Sequence, residues 1–319
     1  RFRGAPLTAG SIAYRADGEP ECTLAIAQRF VPNRGDGWSY VLERLDEICV
    51  ELAAEAPSER LFLTPAGQAK TDELLRELTE LGRVTGEMHA ALGSQLDVPE
   101  FAPEPATAED LDGWRKGLQA EAERAFLAAE SRLDAFSPGL QQQLEQLLRW
   151  KTRLKAAATG ALAGLQTAGM AKIQIHGDYH LGQVLKTDDS FAVLDFEGEP
   201  LRPVQVRRAK QSPARDAAGM LRSFDYAVIT GLHRLRPAPG PSPAMRQWGA
   251  AYQRELGAAF IRGWEEALAG SGLIPDDRSA IERLLSFFQL WKALYELSYE
   301  LNNRPSWVAV PLQGIARLL

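Results

Sequence analysis

The chain has 319 residues, 45% of them hydrophobic and 24% charged, with a formal net charge of −6. Length and mix fit a globular protein with a sizeable core and two packed regions. The negative balance argues against a general nucleic-acid binder, which needs surplus Lys and Arg against phosphates, and no apolar run reaches the roughly 18 residues that span a bilayer.

Cys22 and Cys49 are the only cysteines. They are too few for a disulfide framework and lack zinc-like companions, so both are expected to be buried thiols. No secretory signal is visible, which makes the cytoplasm the default compartment. The chain starts on Arg1, within "RFRGAPL", and is expected to be part of a longer protein.

In chain order, "SIAYR" (11–15) and "CTLAIAQRF" (22–30) read as two strands of a hairpin, with Asp17-Gly18 supplying the turn. "VPNRGDGW" (31–38) is a Pro/Gly loop and the expected boundary between a small β region (1–30) and a helical body (31–319). Leu74, Leu78, Leu81, Val84, Met88 and Leu92 recur at helical spacing and stop before Gly93. Pro99, Pro103 and Pro105 mark a linker, and Thr107 with Asp110 forms a capping box for the next helix. Ser137-Pro138 starts another, expected to run to Gly164 or Gly169.

Three strand-like runs then follow, "KIQI", "QVLK" and "FAVLD", within 172–195. Helices return at Ser212-Pro213. Trp248, Tyr252, Leu256, Phe260 and Trp264 form a stripe at spacing four, read as a core-facing side rather than an aromatic ligand box. A last long helix is expected from about Asp277 to Asn302. The pattern is an α+β fold: a short β region, then a mostly helical body with one β insertion.

That insertion carries the chemistry, in "IHGDYHLGQ" (175–183) and "VLDFEGEP" (193–200). Asp178, in a turn after a strand, can accept a proton from a substrate hydroxyl. Gln183 and Asp195 offer the oxygen ligands that Mg²⁺ prefers, one or two from protein and the rest from phosphates and water. A base and two ligands across a hairpin are the minimum for moving a phosphoryl group from a nucleotide to an alcohol. His176-Gly177-Asp178, Gln183 and Asp195-Phe196-Glu197 keep the order and five-residue gap of the kinase pattern H-R-D-L-x-x-x-N…D-F-G, with Gln for Asn and Glu for Gly. Singly, Asp178 reads equally as a turn cap and His176 as scaffold. His180 lacks the His/Cys partners of a zinc site. Order and spacing together favour kinase chemistry.

"IHGDYHLGQVL", "LDFEGEP", "SPARDAAGMLRSFDYA" and "YELSYELNNRPSWVAVPL" together resemble the maltokinases, sugar kinases of the protein-kinase-like fold related to aminoglycoside phosphotransferases. The resemblance runs from about residue 22 to the C-terminus. It implies transfer of the γ-phosphate of ATP to the anomeric hydroxyl of maltose, with Mg²⁺. It further implies a trehalose synthase as fusion or partner, in a route from trehalose to α-glucan. It makes Asp178 the base, Gln183 and Asp195 the metal ligands, Glu197 a support of that shell, and Asp216 the buried acid bracing the catalytic loop. Within "AIAQRF" (25–30), Gln28 and Phe30 would belong to the hinge that holds adenine. His180, Lys292, Tyr295, Glu296, Tyr299 and Glu300 would line the acceptor site. The five on the last helix step by three or four and so share one broad face, which also reads as an exposed edge with a Lys292–Glu296 pair.

Kinases of this type also need a phosphate-gripping lysine before the hinge. The first lysine here is Lys70, and no glycine-rich loop precedes residue 30. The chain alone is therefore expected to phosphorylate poorly, and a longer parent to be active. Two alternatives stay open: another acceptor such as glucosamine, and a non-catalytic kinase-like regulatory domain.

Overall fold

In a computed structural model that describes residues 2–18, 21–55, 60–165, 169–237 and 240–319, the chain begins with an antiparallel hairpin of β1 (Thr8–Tyr14) and β2 (Cys22–Gln28). Gly18 takes φ 81°, as a tight turn requires, while the rest of that turn, 19–20, lies outside the described residues. Both strands are exposed along their whole length. Cys22 is therefore exposed, contrary to expectation, because the hairpin lays neither face on the helical body; Cys49 is buried.

Asp36 caps α1 (Gly37–Cys49), its carboxylate accepting from the Ser39 N–H at 2.8 Å. A second hairpin, β3 (Leu52–Glu55) and β4 (Arg60–Leu63), has no counterpart in the sequence reading. α2 (Pro65–Leu92) buries Leu74, Leu78, Leu81, Val84 and Met88, the stripe that the helical spacing predicts. β5 (Glu104–Pro105) follows, and then α3 (Ala108–Arg132) behind the expected Thr107–Asp110 capping box. The helix expected to start at Ser137 and run on is two helices, α4 (Pro138–Arg149) and α5 (Lys151–Leu162), interrupted at Trp150. Residues 166–168, across which it was to continue, lie outside the described ones.

β6 (Ala171–Lys172) pairs with β5, so "KIQI" supplies little strand beyond a bridge from Ile173 to Gln211. β7 (Val184–Lys186) and β8 (Phe191–Val193) form the central hairpin, with Leu185 opposite Ala192. The remainder is helical: α6 (Val204–Arg207), α7 (Ala214–Leu235), α8 (Pro243–Leu268), α9 (Arg278–Asn303) and α10 (Ala309–Leu318). Every sheet is two-stranded, and the buried core lies among the helices, which makes the fold α+β. No helix among the described residues is long and apolar enough to cross a membrane.

Two packing features position the site. First, α2 and α8 meet backbone to backbone. A Cβ on Gly82 would stand 1.9 Å from the Phe260 carbonyl oxygen, and one on Gly263 would stand 1.9 Å from that of Thr79. Only glycine permits this approach. Second, the β7–β8 hairpin is held at both outer edges. Gly4 accepts from the Val193 N–H at 2.7 Å on the β8 side. On the β7 side Gly35 accepts from the Lys186 N–H at 3.0 Å, and the Arg34 N–H donates to the Lys186 carbonyl at 2.8 Å. The Lys186 ammonium is buried, 3.5 Å from Glu77 and over the rings of Tyr40 and Phe191, which fastens the hairpin to α1 and α2.

Candidate active site

The loop between β6 and β7 carries Asp178, and its shape is fixed from below. Asp216, buried in the first turn of α7, accepts from the backbone N–H groups of His176 (2.8 Å) and Gly177 (2.9 Å). Gly177 sits at φ 85°, which turns the chain so that both N–H groups face that carboxylate. A third contact comes from His89 Nε2 at 3.1 Å. Burial would raise the Asp216 pKa, but the hydrogen bonds from His89 and Gly177 outweigh it and hold it below the ordinary value. The expected bracing role fits this geometry.

His176 ties the two motif loops together. Its Nδ1 accepts from the Asp178 N–H at 3.4 Å, and its Nε2 donates to the Leu194 carbonyl at 2.7 Å. The ring packs between Tyr179 and Phe196, centroids 5.2 Å from each. Leu194 in turn donates its N–H to the Gln183 carbonyl at 2.9 Å. The Gln183 amide nitrogen donates to Asp195 Oδ2 at 3.2 Å. Asp195 is the one non-glycine residue with positive φ (60°) among the described residues, a strained conformation of the kind that marks functional positions. Its carboxylate is exposed, and the Gln183 amide oxygen stays free while its nitrogen is engaged. Two hard oxygen donors side by side, with a strained backbone under one of them, fit a Mg²⁺ that draws its other ligands from phosphates and water.

Asp178 faces the other way, into a pocket under α9. Lys292 donates to its Oδ1 at 3.3 Å, and His180 Nε2 stands 3.8 Å from its Oδ2. Burial, against the opposing charge of Asp178, lowers the His180 pKa, so the imidazole is neutral at pH 7. Lys292 also lies 3.9 Å from Glu199 and over the ring of Tyr295. Burial and the neighbouring Glu199, to which the phenol hydrogen-bonds, push the Tyr295 pKa up. Arg202 stacks on Tyr295 and Arg215 on Trp291, completing the wall.

Of the residues expected at the acceptor site, Lys292 and Tyr295 line this pocket and His180 sits at its edge; Glu296, Tyr299 and Glu300 are elsewhere. Glu296 is buried against Arg222 of α7, at 2.9 and 2.7 Å. Glu300 is held by Arg304 (2.9 and 2.7 Å) and the Tyr226 hydroxyl (3.1 Å), and Tyr299 lies under Arg304. Glu197 is exposed, its carbonyl accepting from Arg207 at 2.9 Å. Gln28 ends the exposed β2 strand, and Phe30 is 80% exposed. The sequence reading missed Glu199, Arg202, Arg215 and Trp291. Glu199 had a signal, being two places beyond Glu197 in the same motif. Trp291 had one too, preceding Lys292.

The profile of the phosphotransferase enzyme family (APH) matches residues 53–199, which include both motifs. A glucosamine kinase of Streptacidiphilus jiangxiensis is 29% identical over 304 residues, 95% of this chain and 59% of that protein. One of Mycolicibacterium smegmatis is 28% identical over 319 residues, the whole of this chain and 68% of that protein. A solved structure of a glucosamine kinase in complex with glucosamine, ADP and inorganic phosphate superposes with a TM-score of 0.73 at 27% identity, covering 100% of this chain and 65% of that one. The fold is thus the kinase-like α+β fold that the motifs implied, and the chain spans about two thirds or less of most of the relatives it matches.

Proposed function

We propose that this chain carries the acceptor side of an ATP-dependent sugar kinase, and that the acceptor is an amino sugar such as glucosamine rather than maltose. The observation that carries the reading is the division of labour around one loop. Asp178 faces a polar pocket, while Gln183 and Asp195 pair on the loop's other flank.

In this reading Asp178 takes the proton of the sugar hydroxyl as its oxygen bonds to the γ-phosphorus and the bond to the leaving ADP breaks. Lys292 orients Asp178 and adds positive charge beside the transferring group. Gln183 and Asp195 would hold Mg²⁺, which when bound neutralises phosphate charge. His176 and Asp216 keep the loop in register and touch neither substrate. Gln28 and Phe30 would sit at the nucleotide side, and Glu197 beside the metal.

Glu199 favours the amino sugar. It is a half-buried carboxylate on the pocket wall, able to accept from a sugar hydroxyl and, more strongly, to pair with an ammonium. The names of the relatives point the same way, and nothing in them supports a trehalose synthase partner. As it stands the pocket leaves only about 40 Å³ free, so a hexose would need its lining side chains to rearrange.

Two measurements test this. Calorimetry on the 319-residue chain should show saturable glucosamine binding that weakens at least tenfold in Glu199→Gln. In a form of the protein that turns over ATP, kcat/KM should favour glucosamine over glucose and maltose by at least tenfold. Preference for maltose would overturn the amino-sugar reading. Transfer to no sugar by a form that binds Mg-ATP would overturn the kinase reading.

A further inference from the structure

The segment 202–210, "RPVQVRRAK", has more positive charge than the acceptor pocket uses. It forms one wall of a second, open cavity of about 1300 Å³, bordered elsewhere by the start of α3, the β5–β6 ladder and Trp291 of α9. The Arg215–Trp291 stack, centroid distance 4.9 Å, stands between this cavity and the acceptor pocket and faces both.

The charges inside do not cancel. Glu104 and Asp110 are neutralised on the spot, Glu104 by Lys210 (2.8 Å) and Lys172 (3.4 Å), Asp110 by Lys172 (2.8 Å). Arg208 and Arg215 have no carboxylate within ion-pair distance among the described residues, and Arg202 has only a long contact, 3.8 Å to Glu121. Glu100 and Glu109 are the remaining acids, both exposed at the rim. Arg202 and Arg215 thus line the cavity from within, with Arg208 exposed at its rim beside Glu100 and Glu109. Burial, and then the charge of Arg202, pull the Arg215 pKa down to about 10 against the opposing pull of the Asp216 and Glu121 carboxylates.

Two wall residues also leave a buried atom without a hydrogen-bond partner, the acceptor Oε1 of Gln211 and the donor Nε1 of Trp291. Buried polar atoms are rarely left so. The remaining surface is apolar, with the exposed rings of Phe101 and Phe196 beside aliphatic Leu92, Ile175 and Val206. Guanidinium forks match phosphate oxygens, and aromatic faces with a few fixed polar groups suit a ring.

The geometry points to a second ligand site in this cavity, for a phosphorylated sugar whose phosphate is held by Arg202, Arg208 and Arg215 and whose ring lies against the exposed rings of Phe101 and Phe196. It adjoins the acceptor pocket, with which it shares Arg202, Arg215 and Trp291 as a common wall, and it goes beyond the proposed kinase reaction. Phe196, which follows the candidate metal ligand Asp195, forms part of its wall, so an occupant would be in contact with the reaction site.

The test uses the nucleotide-free 319-residue chain, with tryptophan fluorescence and calorimetry as readouts and glucose 6-phosphate, glucose 1-phosphate, inorganic phosphate and glucose as probes. Saturable binding of at least one hexose phosphate is expected, with inorganic phosphate and glucose each at least tenfold weaker. Arg208 lies outside the acceptor pocket, so Arg208→Gln should weaken hexose-phosphate binding at least tenfold, leave glucosamine binding and Tm unchanged, and be partly rescued by Arg208→Lys. The proposal is overturned by no saturable binding of either hexose phosphate, by unchanged affinity in Arg208→Gln, by inorganic phosphate binding as tightly as the sugar phosphates, or by displacement of the hexose phosphate with glucosamine. The last result would place the ligand in the acceptor pocket and leave the kinase reading untouched.

Discussion

Trp264 donates its indole N–H to Nδ1 of His89 at 3.0 Å, and this one hydrogen bond fixes how the catalytic loop is held. With Nδ1 accepting, the proton of the neutral ring sits on Nε2, the nitrogen that reaches Asp216. A tryptophan on α8 therefore sets the tautomer of a histidine on α2, which secures the carboxylate beneath Asp178. All three side chains are buried. Trp264→Phe should cost about 1–3 kcal/mol by leaving His89 Nδ1 unsatisfied. In denaturant unfolding the midpoint should fall, and turnover should fall further than stability explains, because the loop loses its fixed support. A Trp264→Phe protein with unchanged midpoint would remove the relay from this account.

Asp216 also gives the protein an acid-sensitive contact. Its pKa is held below the ordinary aspartate value of 3.8, so the unfolded chain binds that proton more readily than the folded protein. The stabilisation is complete above about pH 4 and is lost as pH falls through the folded value. Asp216→Asn should be less stable than the parent at pH 7, and the gap should narrow as the pH is lowered from 4 toward 2. Thermal unfolding across that range reads it directly; a constant gap would contradict the assignment.

Asp178→Asn tests the proposed base. Turnover should drop by about 10²–10⁴-fold with ATP affinity little changed. Stability should hardly move, since the Lys292 contact is partly exposed and screened. Steady-state kinetics beside a thermal melt separate the two effects.

Asp195 combines a proposed metal role with a strained backbone. Asp195→Gly should raise stability by about 1 kcal/mol by relieving the positive φ. The same change should weaken Mg-dependent nucleotide binding at least tenfold. A variant that binds Mg-nucleotide normally would end the ligand assignment, and one with lower Tm would end the strain argument.

Gly263→Ala forces a methyl group into the Thr79 carbonyl across the α2–α8 crossing. The cost should be about 1–3 kcal/mol, as for an overpacked core. Because the crossing aligns Trp264 with His89, activity should fall with it; urea unfolding and turnover measured together would show whether they move as one.

The hairpin motifs were legible because their chemistry is local. A fixed gap between Asp178, Gln183 and Asp195 survives folding, since a β-turn and two short strands set it. The capping box at Thr107 and the stripe from Leu74 to Met88 are legible for the same reason. The acceptor wall was not. Helical spacing places Lys292, Glu296 and Glu300 on one face of α9, but it is silent on what covers that face. α7 brings Arg222 and Tyr226 against Glu296 and Glu300, so that only Trp291, Lys292 and Tyr295 near the middle of α9 remain open to the loop. Arg202 and Arg215 come from segments whose approach depends on α6 and α7 docking, which no local pattern encodes. The β3–β4 hairpin was missed because its four-residue strands, LAAE and RLFL, carry no β-branched residue or clear alternation, and the break at Trp150 because no Gly or Pro marks it.

The two clamps on the central hairpin have a mechanical result. Gly4 and Gly35 lie just outside the two ends of the β1–β2 ribbon, so that ribbon is bolted at both feet to the strands leading from Gln183 and into Asp195. The exposed ribbon and the two proposed magnesium ligands thus share one main-chain framework, with the segments before β1 and after β2 each tied to a strand that borders one of those ligands.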